Sequence, residues 1–330
     1  MNIKNVAVLG TGTMGHGIAL TCAQAGLNVA LYGRTDASLE RGMNGIKADL
    51  KRARENGKLD GKACTMILNR IKGVKTIAEA AKDADFIIES VAENLELKQN
   101  IFSELDELCD PGVVLASNTS GLSPTDLALR CKHPERVAIA HFWNPAQYIP
   151  LVEVVPGKLT SSKTLDTIVE WVKYIGKEPV RLEKECLGFI GNRLQLALLR
   201  EALYIVEQGW AKAEEVDKAM EFSHGRRLPV TGPLCSADLG GLDIFNNISS
   251  YLFKDLCNST EPSKLLKDKV DNGNLGSKTG QGFYKWEPKL LEEKQKERVE
   301  VLSYFLERDK AKLKSRKAYQ KRNIPMEILK

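Results

Sequence analysis

Along the first half of the chain, short apolar runs alternate with longer segments of helical spacing. Val6-Ala7-Val8-Leu9 is apolar without a break until it meets glycines, the form of a strand buried on both faces. Further strands are predicted over residues 28–32, 86–88, 113–116, 137–140 and 151–155. Between them the spacing predicts helices over 15–25, closed by Gly26, over 37–56, ended by Asn56-Gly57, and over 61–71 and 97–109. Strands alternating with helices predict an α/β fold with a doubly wound, mostly parallel sheet.

Past about Leu187 the strand signal stops. Helical periodicity covers residues 192–208, 213–222 and 239–256. The chain therefore reads as a sheet domain over 1–187 followed by an all-helical C-terminal domain over 188–330. From about Trp286 it becomes an amphipathic stretch rich in lysine and arginine, with Leu290, Val299, Leu302, Phe305 and Leu306 as its apolar positions. That pattern reads as a solvated helix whose stripe packs on the body or on a second subunit.

Composition narrows the functional classes. With 43% apolar and 28% charged residues, the 330-residue chain has the makeup of a globular protein of two domains. The net charge of +5 is spread out except for enrichment at the far C-terminus, so no nucleic-acid partner is expected. No apolar run approaches bilayer length and the first residues lack a signal-peptide layout, so the expectation is a cytoplasmic protein with no membrane partner. Cys22, Cys64, Cys109, Cys131, Cys186, Cys235 and Cys257 are scattered and include no C-x-x-C pair, which predicts reduced cysteines and no metal site.

The first motif is Gly10-Thr11-Gly12-Thr13-Met14-Gly15, a G-x-G-x-x-G between a predicted strand and a predicted helix. In that context it predicts dinucleotide binding. Gly10 permits the tight turn, Gly12 lets a pyrophosphate approach the backbone, and Gly15 lets the helix pack close to the sheet. The N–H groups around Thr13 and Met14 then face the phosphates at a helix N-terminus. The second strand should end in an acid for the adenosine ribose, yet it ends Leu31-Tyr32-Gly33-Arg34-Thr35. Loss of the carboxylate and gain of the Arg34 guanidinium suit the 2′-phosphate of NADP. The alternative is NAD, with Arg34 stacked on adenine and Asp36 on the ribose.

A second set of polar residues lies at or beyond later strand ends, where open α/β sheets bind their ligands. Ser117-Asn118-Thr119-Ser120 follows one strand, His141-Phe142-Trp143-Asn144-Pro145 follows another, and Glu153 lies in the next. A turn over 144–150 would bring His141 and Glu153 together. An imidazole backed by a carboxylate can take the proton of a hydroxyl near neutral pH. Asn192 follows in Gly188-Phe189-Ile190-Gly191-Asn192-Arg193, at the start of the helical domain.

Taken together, these stretches, with Ala92-Glu93-Asn94, Leu151-Val152-Glu153-Val154 and the segment from Gly276 to Tyr284, resemble the L-3-hydroxyacyl-CoA dehydrogenase family. The resemblance covers nearly all of the chain up to about Trp286. It implies a Rossmann domain joined to a helical domain that forms a homodimer. It implies His141 as general base paired to Glu153, with Ser120 and Asn192 holding the substrate oxygen and the histidine. It places Glu93, Lys98, Ser120, Asn144 and Lys278 against the dinucleotide or lining its site.

The substrate is less sharply drawn. Relatives acting on acyl-CoA usually carry lysine at the position of Pro150, and Tyr148-Ile149-Pro150-Leu151 looks more like the lambda-crystallin/gulonate 3-dehydrogenase branch, to which carnitine dehydrogenases are related. Asp49 and Asn56 stand where the family contacts CoA with serine and lysine, and an aspartate there would repel phosphate. Against this, Lys47, Lys51, Arg52, Arg54 and Lys58 keep that helix basic, and Gly240-Gly241-Leu242-Asp243 looks like the acyl-CoA enzymes. The expectation is a short 3-hydroxyacyl-CoA. The alternative is a free 3-hydroxy acid such as gulonate or carnitine, its carboxylate met by Arg226 or Arg227. Lambda-crystallin shows that the scaffold can also be a non-catalytic cofactor-binding protein, but the intact catalytic positions argue for an enzyme.

Overall fold

A computed structural model describes residues 3–320, with side chains as far as residue 312. The chain divides into two compact units, one running to Ile190 and resuming at Arg298, the other Gly191–Glu297. The boundary expected at Leu187 lies close to this division, whereas the C-terminal stretch expected with the helical domain groups with the first unit from Arg298; residues 321–330 of that stretch lie outside the described residues.

The first unit begins β1 (Asn5–Leu9), α1 (Thr13–Gln24), β2 (Asn28–Tyr32), α2 (Asp36–Glu55), α3 (Gly61–Leu68), β3 (Ile71–Val74), α4 (Ile77–Ala81) and β4 (Phe86–Glu89). It continues α5 (Leu95–Leu108), β5 (Val114–Ser117), α6 (Pro124–Leu127), β6 (Val137–Phe142), β7 (Leu151–Pro156), α7 (Ser162–Tyr174) and β8 (Glu178–Arg181). The strands form one sheet in the order β3-β2-β1-β4-β5-β6-β7-β8. All neighbours are parallel except β6 and β7, which run antiparallel. The order reverses between β1 and β4, which places a crevice at the carboxyl ends of those strands.

Strand alternation explains why both faces are covered. Val6 and Val8 enter a core layer with Ile18, Phe86 and Trp171, where the Phe86 and Trp171 rings stack at 4.1 Å. Ala7 and Leu9 point to the opposite layer, with Ile87, Phe102 and Leu105. Each fully buried valine, leucine, isoleucine or phenylalanine among them contributes about 1.5–3 kcal/mol of hydrophobic stabilisation. The helices start where polar side chains cap them. The hydroxyl of Thr35 accepts from Ser38 N at α2, and the Asn94 side chain accepts from Leu97 N at α5.

Several elements depart from the pattern. The helix predicted over 61–71 ends at Leu68, because Arg70 turns back onto Ile67 and Ile71 pairs with Val29 as the first residue of β3. That strand, Ile-Lys-Gly-Val, buries only its two ends, so it has neither an apolar run nor an alternation. β8 carries Pro179, which an edge strand tolerates. α7 was also absent from the sequence reading, although Leu165, Ile168, Trp171 and Val172 bury one helical face.

The second unit is helical: α8 (Gly191–Glu207), α9 (Ala213–Phe222), α10 (Pro233–Gly240), α11 (Leu242–Leu252) and α12 (Lys264–Asp271), with the start of α13 (Pro288–Gln320). The single helix expected over 239–256 is broken at Gly241, whose φ of +95° no helix admits. Of the described side chains in α8 to α12, Leu203 alone is buried. Leu198, Phe222, Leu234, Phe245, Ile248 and Phe253 are all exposed. In α13, Val299, Leu302, Phe305 and Leu306 are half-buried while Leu290 is exposed, so only the later part of the expected stripe is covered.

Candidate active site

The turn after β1 is tight because of what surrounds it. Gly10 has φ +115°, and a Cβ there would lie 2.4 Å from the carbonyl oxygen of Ser90, just past β4. A Cβ on Gly15 would lie 2.0 Å from the oxygen of Gly10, so α1 can begin only with hydrogen at that position. Gly12 differs, since a Cβ there meets nothing within 4 Å. Its open side is the approach to the N-terminus of α1, where Gly12 provides no side-chain cap. Thr13 is exposed and Met14 packs on the core, so the first-turn N–H groups face an open, positive helix end. These features fit the pyrophosphate of a dinucleotide.

At the end of β2, a Cβ on Gly33 would meet Thr11, Ser38 and Leu39 at 2.8–2.9 Å. The usual ribose-binding acid therefore has no room at this position. Arg34 is exposed beside it, and Asp36 makes an ion pair with Lys75 at 2.7 Å.

A buried polar cluster closes the carboxyl ends of β4 and β5. Glu89 is wholly buried; its carboxylate accepts from Lys98 Nζ at 2.7 Å, from Ser117 Oγ at 2.6 Å and from Val91 N at 2.6 Å. Lys98 Nζ also reaches Glu93 at 3.2 Å, and Glu93 accepts from the Thr119 hydroxyl. Lys98 is thus fixed by two carboxylates, one of them half-exposed, which neutralises the charge that burial penalises. The sequence offers Ser117 and Thr119 only as members of the polar run 117–120, and Glu89 not at all. An acid at the last position of a buried strand was the available signal.

The antiparallel return of β7 sets His141 directly opposite Glu153. His141 Nδ1 donates to Glu153 Oε2 at 2.8 Å, leaving Nε2 as the acceptor nitrogen. Two further groups hold the same carboxylate. Trp143 Nε1 donates to Oε2 at 3.2 Å and Ile190 N to Oε1 at 2.9 Å. Ile190 reaches it because Gly188 and Phe189 both take left-handed backbone, with φ of +76° and +51°. For phenylalanine that conformation is costly, and burial of its ring 5.5 Å from that of His141 offsets it.

Ser120 is exposed in the turn after β5, and Asn144 is exposed just past β6, where the Asn144–Pro145 peptide is cis. Asn118 ties the neighbouring turns, donating to Ser90 Oγ at 3.2 Å and accepting from Phe142 N at 2.8 Å. Asn192 lies in the first turn of α8 and Lys278 in an exposed turn between Gly276 and Gln281, both in the second unit. In that unit Arg226 lies over the Phe222 ring at 4.5 Å, while Arg227 is exposed.

Two buried charges brace the 144–150 segment. Lys177 donates from Nζ to the carbonyl oxygens of Ala146 and, at 2.9 Å, Ile149. Burial brings its ammonium down to about 8. Asp49 accepts from Gln147 Nε2 at 3.0 Å and lies between Arg52 and His16, whose Nε2 is 3.5 Å away. Burial pushes its carboxyl up, but the bonds from His16 and Arg52 outweigh this and hold it below the ordinary value. Asp49 is 4% exposed with Arg52 on its carboxylate, which offsets the repulsion of phosphate expected of it.

Among the described residues no cluster of histidine, cysteine or acids could hold a metal ion, and no helix is long and apolar enough to cross a membrane. A family model described as 3-hydroxyacyl-CoA dehydrogenase, NAD binding domain, matches residues 5–186, and one described as 3-hydroxyacyl-CoA dehydrogenase, C-terminal domain, matches residues 188–286. A probable 3-hydroxybutyryl-CoA dehydrogenase of Bacillus subtilis is 39% identical over 290 residues, 88% of this chain and 99% of its own length. Similar solved structures include the following two. The NAD+-dependent 5-formyl-3-hydroxy-2-methylpyridine 4-carboxylic acid 5-dehydrogenase is 32% identical with a TM-score of 0.84, covering 92% of this chain and 99% of that one. The (S)-3-hydroxybutyryl-CoA dehydrogenase from Ralstonia eutropha is 34% identical with a TM-score of 0.73, covering 87% and 100%.

Lys177 yields a test of the bracing. Its folded value of about 8 lies below the 10.5 of a free lysine, so between those values the unfolded chain carries the extra proton. Its contribution to stability therefore rises with pH across that window, and its full burial cost applies below it. Urea unfolding of the wild type and Lys177→Met at pH 7 and pH 9.5 should show the stability difference in favour of wild type growing with pH. Equal differences at the two pH values would contradict a buried, titrating Lys177.

Proposed function

Because the chain belongs to the 3-hydroxyacyl-CoA dehydrogenase family, as an NAD-dependent oxidoreductase acting on a CH–OH group, we propose that it interconverts a short 3-hydroxyacyl-CoA and the 3-ketoacyl-CoA with His141 as general base. The observation that carries this reading is the buried His141–Glu153 pair at 2.8 Å on the strand ends. Bound nicotinamide supplies the hydride acceptor for carbon 3. In oxidation, His141 Nε2 takes the hydroxyl proton as the hydride leaves carbon 3, and in reduction it returns that proton. Glu153 holds Nδ1–H and stabilises the imidazolium. Ser120 and Asn192 are the donors assigned to the substrate oxygen. Gly10, Gly12, Thr13, Met14 and Gly15 take the pyrophosphate, and Glu93, Asn144 and Lys278 the remainder of the dinucleotide, with buried Lys98 acting by holding Glu93.

The acyl-CoA reading is supported by the relatives that act on 3-hydroxybutyryl-CoA and by the compensated charge of Asp49. A second reading, a free hydroxy compound bearing a carboxylate, is favoured by the pyridine carboxylate dehydrogenase of TM-score 0.84 and by Pro150 at the usual lysine position. At the adenosine end, the space-filled Gly33 and exposed Arg34 support acceptance of NADP beside NAD. The exposed apolar side chains of α8 to α11 support a homodimer in which a second copy covers them.

Absorbance of reduced nicotinamide should show turnover of 3-hydroxybutyryl-CoA above that of free 3-hydroxy acids and of hydroxymethyl or formyl pyridine carboxylates. Turnover of the free acids alone would move the assignment to the second reading. His141→Ala should lower kcat by about 10²–10⁴. Arg34→Ala should raise KM for NADP about tenfold and leave KM for NAD within about twofold, reflecting one lost phosphate fork. A strong NAD preference unchanged by the substitution would count against Arg34. Light scattering should give a mass of twice 36.6 kDa, and a monomer would refute the dimer.

A further inference from the structure

The carboxylate behind His141 carries a donor that the proton-transfer scheme does not require. Strand alternation sends residues 141 and 143 to the same side, and a large side chain two positions along can reach the diagonal cross-strand neighbour. Trp143, one residue past β6, does this. Its Nε1–H points at Glu153 Oε2, the same oxygen that accepts from His141 Nδ1. The indole is half-buried and its ring lies 5.7 Å from the imidazole at 52°.

We propose that Trp143 is a positioning residue that tunes the basicity of His141 by sharing Glu153 Oε2. The proposal rests on the reading of His141 as the base. Two donors on one oxygen divide its negative charge. The imidazolium is then stabilised less than it would be by a carboxylate devoted to it. With Ile190 N on Oε1, the indole also fixes the plane of the carboxylate and keeps Nδ1 as the protonated nitrogen.

His141 is the only titratable residue of β6, Glu153 the only one of β7, and β5 has none. β8, paired with β7, carries Glu178 and Arg181, the latter on Asp166, and the helices packed on these strands, α6 and α7, expose Asp126, Lys163, Asp166, Glu170, Lys173 and Tyr174.

The test uses the cofactor-free full chain labelled at histidine. The chain has four histidines, so the ring signals of His141 are identified by their loss in His141→Asn. Trp143→Phe removes the N–H and keeps a ring, and Trp143→Leu removes both. Each should raise the His141 titration midpoint by on the order of half a pH unit. The acid limb of kcat/KM for oxidation should move the same way. In a Glu153→Gln background, Trp143→Phe should add no shift. A midpoint that stays within about 0.1 unit, moves down, or shifts equally in the Glu153→Gln background would overturn the proposal. A uniform loss of kcat with an unmoved midpoint would also overturn it, as the mark of a merely structural tryptophan. If His141→Ala kept full turnover, the base assignment would fail, while the ring titration would still judge the Trp143 contact by itself.

Discussion

The structure of the first unit depends on giving Glu153 a place inside the sheet. A carboxylate in the middle of a wholly covered strand is tolerated only when its charge and lone pairs are met. His141, Trp143 and Ile190 N meet them, and each requires a separate feature of the chain. The antiparallel turn of β7 against β6 sets the histidine opposite the acid. The strand pleat sends Trp143 to the same side. The left-handed pair Gly188-Phe189 bends the backbone so that Ile190 N points back into the sheet. A register slip of one residue would strand the buried charge, so the acid specifies the pairing as well as serving it.

The same principle recurs at the crevice between β1 and β4. Glu89 is buried as deeply as Glu153 and is compensated by Lys98, Ser117 and Val91 N. This cluster adjoins the turn where Gly10 presses on Ser90. Dinucleotide turn and charged cluster are therefore built from the ends of neighbouring strands, and the helix end at Gly12 faces outward from that framework. Lys177 and Asp49 brace the segment after β6 in a similar way, through a buried ammonium on two carbonyls and a buried carboxylate on Gln147. Buried charges thus hold the strand-end loops in place, which suits a site whose donors must be fixed before the reacting charge develops.

The two units have contrasting interiors. The first has a core on each face of its sheet. The second presents large apolar side chains along α8 to α11 with almost none fully buried. A helical unit of that kind gains its stability by covering those faces, and a second copy of the chain is the occupant proposed above.

The sequence by itself determined the parts whose physics is local. The glycine turn, the apolar runs of the central strands and the periodic helices were legible because each is a short-range pattern of backbone freedom or burial. The resemblance of its motifs also named His141 and Glu153, and a turn over 144–150 was enough to suggest that they meet. Tertiary structure decided the rest. β3 and β8 are strands because a neighbour offers hydrogen bonds, not because Ile-Lys-Gly-Val or Glu-Pro-Val-Arg demands it. Asp49 reads as a surface repeller of phosphate until packing buries it against Arg52 and Gln147. Glu89 gains Ser117, Trp143 gains Glu153 and Lys177 gains the carbonyls of Ala146 and Ile149 only when separate strands come together. A charge is isolated or compensated according to what the fold places beside it, and that is a property of three-dimensional proximity rather than of residue order.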